Sequence, residues 1–112
     1  MKHKSVGNKL AGTTTIVTVP AGEKIKLVSL YLSNVDGVNS ASADVYILKG
    51  GVGPNIYLIK DALIPIQAVL QVVSNEVILE QNDSLVVNPS HPDRVDSFLS
   101  YYKINIFDGM YD

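Results

Sequence analysis

The sequence predicts an all-β fold: an antiparallel, jelly-roll-like β-sandwich of about eight strands. Three observations predict it. Short runs rich in Val, Ile, Leu, Thr and Tyr recur along the chain, and such side chains suit a pleated, half-buried surface. Tracts of Gly, Pro, Asn, Asp and Ser separate them, the longest at residues 34–42, 50–55 and 88–94. Several runs alternate apolar and polar residues with a period of two. Val69, Leu70, Val72 and Val73 also fit a helical stripe, but their β-branched density favours a strand.

Taken in order, strands are expected at residues 13–19, 24–34, 43–49, 56–61, 67–73, 76–80, 84–88 and 97–107. In the second, Ile25 and Leu27 alternate with Lys24 and Lys26, after which Val28, Leu30 and Leu32 take one face and Ser29, Tyr31 and Ser33 the other. A phase slip inside one strand predicts a β-bulge there. Gly50-Gly51-Val52-Gly53 is followed by Pro54-Asn55 and a strand, so it reads as a hairpin loop; a phosphate cradle would open a helix. In the last strand Phe98, Ser100, Tyr102, Ile104 and Ile106 share one face, and Leu99, Tyr101, Lys103 and Asn105 the other.

The chain has 112 residues, enough for one domain with a modest core. Residues 1–12 read as a basic N-terminal arm carrying Lys2, Lys4 and Lys9, and 107–112 as an apolar C-terminal tail carrying Phe107, Met110 and Tyr111. Removing residues 1–9 is accordingly expected to leave the fold intact. The tail either folds back on its own sandwich or docks on a neighbouring subunit, and a hinge at Gly109 favours docking. The formal net charge of −2 argues against a specific nucleic-acid binder. No apolar stretch reaches the ~20 residues of a membrane-spanning helix, and no secretory leader is visible.

With no Cys and two His far apart, thiolate chemistry is excluded and a metal site disfavoured. His91, Asp93 and Asp96 could share a metal or a proton, but two prolines make this read as a capped loop. Glu76, Glu80 and Asp83 could serve acid–base chemistry, but the two glutamates read as solvated strand ends. No catalytic residue, cofactor or metal is therefore expected. Six tyrosines beside two phenylalanines suit either interfaces or half-exposed sheet faces.

Residues 13–23 read as a strand followed by a Val-Pro-Ala-Gly-Glu turn. A long strand ends at Ser33-Asn34, and Lys60-Asp61-Ala62-Leu63-Ile64-Pro65 follows a hairpin. Residues 79–87, Leu-Glu-Gln-Asn-Asp-Ser-Leu-Val-Val, fit the pattern L-E-x-G/N-D-S-L-x-V, and residues 95–104 are similar to V-x-x-x-x-S-Y-x-E-I. In this order of segments, over about residues 13–104, the chain resembles small tailed-phage virion structural proteins with a β-sandwich fold. The resemblance implies a non-enzymatic subunit of the virion, assembled in the host cytoplasm. A head decoration (cement) subunit that staples the capsid lattice comes first, with the major capsid protein as partner. A neck or tail adaptor, or a fibre-associated subunit, is the alternative. A homo-oligomer is expected, with a trimer first by analogy with local threefold sites. The candidate partner interface comprises Lys2, Lys4, Lys9, Tyr31, Tyr57, Tyr101, Phe107, Met110 and Tyr111. A further alternative is a carbohydrate-binding sandwich with Tyr57 or Tyr101 as an exposed platform flanked by Asp or Asn.

Overall fold

The structure, a computed structural model, describes residues 2–105 and the backbone of residues 110–111. Ten strands are present among them: β1 (Lys2–Leu10), β2 (Thr14–Thr18), β3 (Glu23–Asn34), β4 (Ala41–Leu48), β5 (Asn55–Ile64), β6 (Val69–Val73), β7 (Val77–Leu79), β8 (Ser84–Pro89), β9 (Val95–Asn105) and the two-residue β10 (Met110–Tyr111). The only helical turn among the described residues is a short 3-10 turn, Lys49–Gly51.

Two antiparallel sheets form the molecule. Sheet I has the order β1-β9-β3-β6, with β7 beside β3 and β10 beside β9; sheet II has the order β2-β8-β4-β5. With the short β7 and β10 set aside, this is the strand order of an eight-stranded jelly roll. Long-range pairing decides it: β3 sits between β9 and the β6–β7 segment, and β8 between β2 and β4. Each sheet turns one face inward. Leu10, Leu27, Leu30, Leu32, Val95 and Leu99 from sheet I meet Ile16, Val45, Ile47, Leu85 and Val87 from sheet II in one buried cluster.

The bulge expected in β3 is present. The register against β9 shifts between Leu27 and Ser29, leaving Val28 as the extra residue. Ile25 and Leu27 therefore face the core before it, and Leu30 and Leu32 after it. At the same point β3 changes neighbour, from β7 (Ile25–Leu27) to β6 (Leu30–Ser33).

Residues 2–10 are not an arm. They form a nine-residue strand paired to β9 from Lys2↔Lys103 to Leu10↔Val95. Inward positions become steadily more covered along β1: Lys2 and Lys4 are exposed, Val6 and Asn8 half-buried, and Leu10 fully buried. The open end of β1 needs no apolar alternation, which is why its sequence looks like a solvated terminus. The tail is also partly placed. The backbone of Met110 and Tyr111 returns to pair with Asn105 and Ile104 on sheet I. Phe107 lies outside the described residues.

Strand β5 runs past its expected end at Asp61. Asp61 adopts φ 52° and its N–H donates to Asp44 Oδ1 at 2.7 Å. This kink inserts one extra residue between the pairs Val45↔Ile59 and Ala43↔Ala62, and pairing resumes through Ile64. Bulges in an edge strand also hinder unwanted pairing with other chains.

Candidate functional site

Cross-strand register places the outward side chains of sheet I in rows. One row runs Gly7, Phe98, Tyr31 and Gln71; the next runs Lys9, Asp96, Ser33 and Val69. Phe98 is 49% exposed and Tyr31 39%. The Phe98 ring leans over β1 because position 7 is glycine: a Cβ there would stand 3.2 Å from Phe98 Cδ1, closer than side chains normally approach. Beside the ring lies an open depression of about 380 Å³, bounded by Gly7, Lys9, Ser33, Asp96 and Phe98. Lys9 Nζ stands 3.5 Å from Asp96 Oδ1, at ion-pair distance, yet that buried carboxylate oxygen has no hydrogen-bond partner.

Further along the same face His3 meets the Tyr102 ring edge-on at 5.0 Å, and Lys26 Nζ lies 5.3 Å from the Tyr102 centroid while pairing with Glu76. The outer face of sheet II carries a second aromatic pair. Tyr46 and Tyr57 are directly opposite in register with ring centroids 5.2 Å apart, and Lys60 Nζ lies 4.5 Å from the Tyr57 centroid.

The residues expected at a partner interface do not form one patch. Lys2 and Lys4 lie on the exposed end of edge strand β1, and Lys9 pairs with Asp96. Tyr31 and Tyr57 stand on the two opposite outer faces. Tyr101 turns inward and packs, half-buried, against the core, so it is no exposed platform. For Met110 and Tyr111 only the backbone is described. Sequence reasoning missed Phe98, which is more exposed than Tyr31 or Tyr57. Its signal was the face it shares with Ser100 and Tyr102, whose small and polar members mark the solvent side.

Four of the five acidic side chains in these clusters pair with lysines. Asp93 N–H donates to the Leu10 carbonyl, Asp96 pairs with Lys9, and His91 Nδ1 lies 2.9 Å from Ser90 Oγ. Glu76 and Glu80 pair with Lys26 and Lys24. Among the described residues no group of three His, Asp or Glu side chains is placed to hold a metal. Asp83 is instead 2% exposed and accepts from Lys49 Nζ at 2.8 Å, Gly50 N–H at 2.9 Å and Glu80 N–H at 3.0 Å. Burial pushes its carboxyl up, but the Lys49 ammonium and the two N–H groups outweigh this and hold it below the ordinary carboxylate range. One side chain thereby ties the β4–β5 turn to the β7–β8 turn.

Comparison with known proteins found no family model and no curated protein that matches this chain.

Proposed function

We propose that the chain is a non-enzymatic structural subunit of a tailed-phage virion, acting as a decoration subunit that binds and stabilises the assembled head lattice. The resemblance over residues 13–104 suggests the class. The observation that carries the reading is strand β1. Among the described residues it pairs with β9 alone, so one side of a nine-residue strand offers its backbone N–H and C=O groups to another chain. Such an edge supports addition of a partner strand, with backbone hydrogen bonds giving affinity and flanking side chains giving specificity. Lys2 and Lys4 at its open end suit a partner with acidic groups. The reading includes a homo-oligomer, a trimer first, since capsid lattices present local threefold positions.

The test is co-sedimentation of the purified protein with capsids of the encoding phage that lack it. Saturable binding is expected, weakened about tenfold by the double variant Lys2→Glu, Lys4→Glu. Absence of capsid binding by a folded protein contradicts the decoration role. Equal binding by wild type and the double variant contradicts the part assigned to β1.

A further inference from the structure

We propose that the depression beside Phe98, on the outer face of sheet I, is a saccharide subsite that takes a single pyranose ring. This inference is independent of the virion assignment. A pyranose has an apolar C–H face and a rim of hydroxyls that both donate and accept. The site offers a counterpart to each. Phe98 presents a half-exposed ring, held over the strand by the missing Cβ at Gly7, and an aromatic face is the natural partner of a C–H patch.

The polar groups stand one residue step away. Asp96 keeps part of its carboxylate exposed while Oδ1 is covered beside Lys9, whose ammonium stands 3.5 Å from it, and Ser33 on β3 stands opposite Asp96 in register. The carboxylate can accept from one hydroxyl of a vicinal diol while the neighbouring ammonium donates to the other. The volume of about 380 Å³ lies at the small end of ligand clefts, which run from about 300 to 1,000 Å³.

The same groups disfavour other ligands. Asp96 repels a phosphate, and a purely apolar ligand would strip water from Asp96 and Lys9 without replacing its hydrogen bonds. The other aromatic positions are less suited: Tyr101 faces the core, and Tyr57 is engaged by Tyr46 and Lys60.

The site is tested by titrating the ¹⁵N-labelled protein with methyl β-galactopyranoside and methyl β-glucopyranoside and following amide shifts. At least one sugar is expected to give saturable, millimolar-range shifts centred on Gly7, Lys9, Ser33 and Phe98. Glycerol, which has the diol but no ring face, is expected to give none. Phe98→Leu keeps apolar bulk on the strand but removes the ring, and is expected to abolish the shifts with the remaining spectrum unchanged. Asp96→Asn is expected to weaken binding about tenfold. Three results overturn the proposal: no saturable shift up to roughly 100 mM of either sugar, equal shifts with glycerol, or undiminished shifts in Phe98→Leu.

Discussion

Asp83 shows how one buried carboxylate can hold two turns that lie far apart in the sequence. Its partners come from Lys49 and Gly50 on one side and Glu80 on the other. Asp83→Ala leaves two backbone N–H groups without their acceptor and is expected to cost about 2–4 kcal/mol, read from urea unfolding midpoints. The pH dependence has a definite sign. The folded carboxyl titrates below its unfolded value of about 3.9, so its contribution is complete above that pH and disappears as the pH falls through the folded value. Asp36 adds in the same direction, because the Val38 and Asn39 N–H groups hold its carboxyl low. Unfolding free energy is therefore expected to drop on going from about pH 6 to about pH 3, with a shallower drop in Asp83→Asn. A slope unchanged by Asp83→Asn would remove Asp83 from this account. The sequence marks Asn82-Asp83-Ser84 as a turn, but Asp83's side-chain partner Lys49 is 34 residues away and no local pattern points to it.

At the scale of elements, local alternation was informative wherever a strand is covered on one face. The slip in β3 was legible because Ile25 and Leu27, then Leu30 and Leu32, are all core residues. Strand β1 was illegible because only its far end is covered, and it carries Lys and Ser where nothing demands apolar side chains. Leu10 separates the two views of this segment. A solvated arm tolerates Leu10→Ala, whereas a fully buried strand residue is expected to cost about 2–4 kcal/mol when truncated, measured by chemical denaturation. Deletion of residues 2–9 removes the whole of β9's pairing on that side except the Leu10 end. The expected result is loss of cooperative unfolding or a cost of at least about 3 kcal/mol. A deletion variant as stable as the full chain would return the segment to the role of an arm.

At the scale of the molecule, the all-β class and eight of the ten described strands were legible, but the pairing was not fixed by any local feature. The jelly-roll order depends on contacts such as β1 with β9 and β2 with β8, which join opposite ends of the chain. The candidate surfaces inherit that problem. Phe98 and Gly7 become neighbours only once β1 lies beside β9, and Tyr31 and Tyr57 separate only once the two sheets are assigned. A small sandwich whose free edge β1 carries Lys2 and Lys4 is suited to joining other subunits, and the number of copies it contributes follows from where it joins them. Under the proposed decoration role, the most direct measurement is the protein's copy number in purified phage virions, by quantitative mass spectrometry against the major capsid protein. A number comparable to that protein is the predicted result. A number many times smaller, or absence from the virion, contradicts a head decoration subunit.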